Sequence, residues 1–287
     1  MRKTDFIVRP MQPGDIVHAM KLSNAEGWNQ TEKDWKLLIE SPQNVCLLAE
    51  CNKKIIGTTT AMNYANQIAW IGMVLVAKES RGQGVSKLLL TNILKKLESF
   101  PSIKLDATPA GQRVYEKFDF KDEYLISRLV TGSMKHLSFD DDTISAESIR
   151  LKDVEEIIAL DEHVFGTNRK ELIESLIKEY PHKAWLLKRN NSIAGFALGR
   201  EGNKYHQVGP VFGPGINEVK MLIRKALKEL INQPVVIDVL DDKEDLINWL
   251  SSIGFTKQRH FVRMYKKENL IPGIGNKQYM VCGPEFG

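Results

Sequence analysis

The stretch VLVAKESRGQGVSKLLL (74–90) brings together residue types that suit an anion site. Val74, Leu75 and Val76 end an apolar run that reads as a strand, whose end amides can pair with an amide-bearing ligand. Leu88, Leu89, Leu90, Ile93, Leu94 and Leu97 then recur at helical spacing, with Lys95 and Lys96 near the C-terminal end of the helix, where cations favour its dipole. Between strand and helix lies Arg81, Gly82, Gln83, Gly84, Val85, Ser86 and Lys87. The glycines let the chain turn tightly and leave amide N–H groups bare at the helix start, a setting for a phosphate or pyrophosphate. A P-loop needs a spacing that does not occur here, and a dinucleotide G-x-G-x-x-G needs glycine where Lys87 stands. A plain strand-to-helix turn stays open for this loop taken alone.

The same segment resembles the coenzyme-A motif of the GNAT N-acetyltransferase superfamily, Arg/Gln-x-x-Gly-x-Gly/Ala, here Arg81-x-x-Gly84-x-Ser86. TPAGQRVYEKFDF (108–120) resembles the later signature Asn-x-x-Ala-x-x-Leu-Tyr-x-x-x-Gly-Phe, with Tyr115 and Phe120 in register. Thr108 stands for Asn, Gly111 for Ala and Asp119 for Gly. With EGWNQTEKDW (26–35), LDATPAG (105–111) and the terminal GPEFG, nearly the whole chain is similar to the bacterial two-domain YitH-like subgroup. The resemblance implies acetyl-CoA as cosubstrate and direct transfer to a primary amine of a small molecule or peptide in a ternary complex. It implies that Tyr115 protonates the leaving sulfur, and that Thr108 and Gly111 adjoin the pantetheine. A non-catalytic coenzyme-A or metabolite-binding protein on the same fold is the alternative.

An amine resembling lysine is mostly protonated at neutral pH, so acetyl transfer needs a route for a proton to leave. Glu26 and Asp106 are the candidate bases, against the plainer readings of a solvated helix-end carboxylate and of a helix cap or turn former. Trp28 and Tyr64 fall at element ends and are candidate pocket walls, whereas Trp35 shares helical spacing with Leu38 and Ile39 and reads as core. Arg200, Asp238, Arg263 and the GPEFG tail are further candidates for acceptor contacts. His163, His182, His206 and His260 show no metal-ligand spacing, so no metal is expected.

These residues must be held by elements that the chain encodes twice. LLIESPQNVCLLAECNKKIIGTTTA (37–61) runs parallel to LIESLIKEYPHKAWLLKRNNSIAGFAL (172–198), IKLDAT (103–108) to VVIDVL (235–240), and VYEKFDF (114–120) to WLSSIGF (249–255). Each copy reads as an α/β (α+β) domain with a mixed sheet. The expected division is a coenzyme-binding domain at 1–133, a linker at 134–143 and a degenerate second domain with its tail at 144–287. Degeneracy is expected because PVFGPGINE occupies the place of the first cofactor loop: the arginine is missing, Pro214 lacks an N–H, and Glu218 would repel a pyrophosphate. Leu250 stands where the first copy has Tyr115.

Composition narrows the partners. The 287 residues are 43% hydrophobic and 26% charged, an ordinary globular balance large enough for two cores. The formal charge of +4 is scattered, which argues against nucleic acid. The longest apolar run, Ile68 to Ala77, is too short for a membrane span, and the N-terminus shows no secretory apolar region, so a cytoplasmic location is expected. Cys46, Cys51 and Cys282 are read as reduced thiols.

Overall fold

The computed structural model describes residues 6–134, 146–269 and 273–287. Its first half runs β1 (Ile7–Pro10), α1 (Ile16–Ala25), α2 (Glu32–Glu40), β2 (Val45–Cys51), β3 (Lys54–Tyr64), β4 (Ile68–Val76), α3 (Val85–Lys96), β5 (Ser102–Ala107), α4 (Pro109–Glu116) and β6 (Lys121–Thr131). The second half repeats the order as β7 (Glu147–Ser148), α5 (Val154–Phe165), α6 (Lys170–Glu179), β8 (Ala184–Arg189), β9 (Ser192–Arg200), β10 (His206–Phe212), α7 (Ile216–Lys228), β11 (Val235–Leu240), α8 (Glu244–Ser252) and β12 (Thr256–Lys267), and then adds β13 (Gln278–Met280). The expected linker lies outside the described residues except for Met134, which bridges to Ile231.

All thirteen strands join one mixed sheet, ordered β1-β2-β3-β4-β5-β12-β6-β11-β13-β10-β9-β8-β7. Among the described strand pairs, β4–β5 and β10–β11 are parallel and the rest antiparallel. Strand alternation sorts the apolar residues into layers. Leu48 and Trp70 face a core shared by both halves, built from α1, α2, α5 and α6 and from Phe196, Phe212 and Phe286. Their neighbours Leu47, Ala49, Ala69 and Ile71 face the opposite side, against α3. The equivalent layer of the second half packs on α7 and α8.

The two halves are not closed blocks set side by side. Each gives its last strand to the other: β12 lies between β5 and β6, and β6 lies between β12 and β11. A buried ion pair fastens each exchanged strand to its host. Arg263 on β12 stands opposite Asp106 on β5, with Nε–Oδ1 2.8 Å and Nη2–Oδ2 3.0 Å. Arg128 on β6 stands opposite Asp238 on β11, with both contacts at 2.7 Å. The repeat thus places the same bidentate pair twice, once at each exchange.

The tail forms the second departure. β10 and β11 pair over His206–Val208 and Val235–Ile237 and then part. β13 enters the gap, with Met280 opposite Val211 on one side and Val239 on the other. The Val281 N–H donates to the Asp238 carbonyl at 3.0 Å. A Cβ on Gly209 would collide with the Val281 carbonyl oxygen, so the close approach requires glycine there.

Candidate active site

In the first half the same parting of strands is left open. β4 and β5 pair from Ile68–Ile71 to Ser102–Leu105 only. Beyond that point Met73 has φ 51° and bulges against β3, where its carbonyl accepts from Thr58 Oγ1 at 2.9 Å. The β5-facing edge of Gly72–Val76 is left without a strand partner and borders a cleft of about 540 Å³.

One end of the cleft is made by the glycine loop and the two helices that follow. Gly82 and Gly84 have φ of 74° and 85°, and the directions in which their Cβ atoms would point are open. The first ladder bond across the start of α3 is Leu88 N–H to Gly84 O at 3.0 Å, so the amides of Val85, Ser86 and Lys87 precede it. Arg81 is held by Glu26 at 2.5 Å and donates from Nε to the Val76 carbonyl at 3.3 Å. On the opposite wall Thr108 caps α4 by accepting from the Gly111 N–H at 3.2 Å. A Cβ on Gly111 would sit 3.1 Å from the Tyr115 ring. Tyr115 lines the cleft and packs edge-on against Phe120. Burial pushes the phenol upward, so it keeps its proton through the neutral range.

The other end draws on the whole molecule. Trp28 and Gln30 come from the segment between α1 and α2, Arg128 from β6, Arg259 and Phe261 from β12, and Pro284 and Glu285 from the tail. The tail is pinned here: Trp70 Nε1 donates to the Pro284 carbonyl at 3.0 Å, Tyr64 Oη to the Phe286 carbonyl at 2.7 Å, and Arg169 Nη1 to Gly287 at 2.9 Å. A Cβ on Gly72 would meet the Glu285 backbone at 3.0 Å, so the tail lies directly on the parted strand. Glu285 bonds Arg200, which also holds Asp34 at 2.6 Å and Gln207 at 2.9 Å. Gln207 in turn donates to Asp238 at 3.0 Å.

The structure therefore gathers Val74, Leu75, Val76, Arg81, Gly82, Gly84, Val85, Ser86, Thr108, Gly111, Tyr115, Glu26, Asp106 and Trp28 around one cleft. It corrects the expected place of others. Gln83 and Lys87 are exposed and do not line it, and Gln83 instead donates to the Glu79 carbonyl at 3.1 Å. Tyr64, Arg200, Asp238 and Arg263 are buried behind the wall, where they pin the tail, bridge the network or fasten an exchanged strand. Asp106 borders the cleft, but both of its oxygens are taken by Arg263. Arg128 and Arg259 were not legible as site residues, because strand exchange brings them in from places with no motif, and Gln30 lies in the EGWNQTEKDW segment, whose spacing does not single it out.

Among the described residues no helix is long and apolar enough to cross a membrane, and no group of three or more His, Cys, Asp or Glu is placed to hold a metal ion. The acetyltransferase (GNAT) domain family matches twice, over residues 18–126 and 157–280. Holothin acyltransferase from Pseudoalteromonas sp. (strain SANK 73390) is 24% identical over 243 residues, which is 84% of this chain and 81% of that one. The uncharacterized N-acetyltransferase YitH of Bacillus subtilis (strain 168) is 23% identical over 246 residues, 83% of each chain. A crystal structure from Pyrococcus horikoshii, provisionally described as an acetyltransferase, superposes with a TM-score of 0.82 at 20% identity, covering 98% of this chain and 96% of that one. With both halves matched and the parted strands, glycine loop and tyrosine converging on one cleft, the chain is a tandem acyltransferase enzyme of the GNAT N-acetyltransferase family.

Proposed function

We propose that this enzyme binds one acetyl-CoA in the first-half cleft and passes its acetyl group to a primary amine of a small molecule or peptide, by direct transfer in a ternary complex. The observation that carries this reading is the single cleft shared by the unpaired edge of β4, the α3 N-terminus and the Tyr115 hydroxyl. The unpaired edge offers amides and carbonyls to the pantetheine, and the loop and α3 amides offer donors to the pyrophosphate. Tyr115 supplies a proton to the sulfur as it leaves. The second half holds no coenzyme in this reading, because β13 and Val281 occupy the gap between β10 and β11.

Calorimetry on the full chain is expected to give one coenzyme A bound per chain, with binding lost in Gly84→Asp. That substitution forces a side chain onto a backbone at φ 85° and sets a carboxylate where an anion must sit. A screen of primary amines, amino acids and peptides, read by free-thiol release, then identifies the acceptor. Two coenzymes per chain, or undiminished binding by folded Gly84→Asp, would refute the assignment.

A further inference from the structure

We infer that the acceptor end of the cleft is a seat for an ammonium group, and that Glu285, carried in by the C-terminal tail, is the general base that deprotonates it. The inference rests on the acetyl-transfer reading above and adds the charge of the acceptor and the residue that takes its proton.

Three observations converge on Glu285. It is 2% exposed yet lines the cleft, directly across from Gly72 at the start of the unpaired edge of β4. Its Oε1 is held by Arg200, whereas its Oε2 has no hydrogen-bond partner. A buried carboxylate oxygen without a donor is costly, and such a group in a cleft is explained by a ligand that supplies the donor. The second orphan lining the cleft is Gln30, 5% exposed, whose Oε1 is also unpartnered. Two buried acceptors lacking donors suit an ammonium, which brings three N–H groups and no acceptor.

The charges agree. Asp34, Glu285 and Asp238 are linked through Arg200, Gln207 and Arg128, three carboxylates to two guanidinium groups. Arg259, in the same cleft, acts on Asp238, whereas Glu285 and Asp34 share the hydrogen bonds of Arg200 alone, and a cationic acceptor beside Glu285 offsets the charge left over at that end. The groups facing Glu285 are Arg200 from β9, Asp34 from α2, Arg128 from β6, Tyr64 from β3 and Cys282 from its own segment. Burial pushes the Tyr64 phenol and the Cys282 thiol upward, the latter to about 12, so neither competes for the proton near neutrality. Both oxygens of Asp106 are taken by Arg263, and Glu26 is partly exposed and pairs through Oε1 with Arg81, which leaves Glu285 as the buried cleft carboxylate with an unpartnered oxygen.

The protons balance. One N–H proton of the ammonium passes to Glu285 Oε2, freeing the nitrogen lone pair. That pair forms the N–C bond to the acetyl carbonyl as the C–S bond breaks, and the electrons of that bond leave on sulfur. Glu285 passes that proton to solvent and, ionised again, takes the second N–H proton as the nitrogen becomes an amide; Tyr115 gives its proton to the thiolate and regains one from solvent, so one proton is released per turnover.

The test compares two acceptors in wild type and Glu285→Gln: an alkylamine, protonated at pH 7, and an aromatic amine that is neutral there. Glu285→Gln is expected to lower kcat/KM for the alkylamine by about 10²–10⁴-fold at pH 7, with recovery as pH rises toward the pKa of the amine. The loss for the aromatic amine should be less than about tenfold, below the span of general-base catalysis. Gln30→Leu should raise KM for the alkylamine with kcat little changed. Coenzyme-A affinity and wild-type turnover report on the underlying reading of function. The ratio between the two acceptors reports on Glu285 alone. Equal losses for both acceptors with no recovery at high pH, or no loss at all, would overturn the assignment.

Discussion

Tyr115 and Glu285 hold the two ends of one proton balance, yet they reach the cleft by very different routes. Tyr115 stands on α4, seven residues into an eight-residue helix whose start is fixed by the Thr108 cap and Pro109. Its proton is retained at neutral pH because burial disfavours the phenolate. Tyr115→Phe removes only the oxygen, so it should leave coenzyme-A affinity intact and lower turnover by about 10²–10⁴-fold. A calorimetric titration beside initial rates across pH checks this, and unchanged rates would make the residue a packing group against Phe120. Tyr115 was legible because helix, cap and tyrosine lie within one short motif. Glu285 was visible only as part of a glycine-rich tail that ends the chain, since nothing in its spacing tells that Trp70, Tyr64 and Arg169 will pin that tail under β4. Glu26 was legible as a carboxylate near the loop, but its contact with Arg81 ties it to the coenzyme end.

At the level of elements, the repeat foretold almost every helix and strand but not which half each final strand would join. β6 and β12 both present buried residues over their central spans, and either can hydrogen-bond along both edges, so their own sequences do not choose a partner. The choice shows in the buried pairs. Arg263 with Asp106 and Arg128 with Asp238 sit directly opposite across the exchanged joints, and no other carboxylate meets either guanidinium among the described residues. This explains why Asp106, Asp238 and Arg263 drew notice as functional: buried charge marks a structural joint as readily as a site. Arg263→Leu should cost about 3–5 kcal/mol, since it strands Asp106 unpaired and buried. The Asp106 carboxyl is already pushed upward by burial, with Arg263 pulling it back. Without Arg263 the folded state favours the protonated acid more strongly, so the deficit should be smallest near pH 4, about the unperturbed value for aspartate, and grow toward pH 7. Urea midpoints of wild type and variant across that range test the sign, and a pH-independent deficit would assign the loss to packing alone.

At the scale of the molecule, one device recurs: a strand pair that parts. In the first half the gap is left open as the cleft, and in the second it is closed by β13, after which the same tail runs on to furnish the acceptor wall of the first. The second half therefore serves the site through its closed gap, its exchanged strand and its last residues. The loss of the loop arginine, with Pro214 and Glu218 at the matching turn, was legible; the plug was not, because three residues of strand in a tail rich in glycine and proline carry no pattern. An arrangement in which β5 needs β12, β11 needs β6 and α1 shares a core with α5 leaves neither half a complete sheet on its own. Unfolding of the full chain should accordingly be a single cooperative transition by heat. Coenzyme A at 100 times its dissociation constant stabilises the bound state by about 2.7 kcal/mol, and since the cleft walls come from both halves the whole transition should move upward together by several degrees. Differential scanning calorimetry with and without coenzyme A decides the matter: two transitions of which only one shifts would mean that the halves fold independently and that the exchanged strands do not couple them.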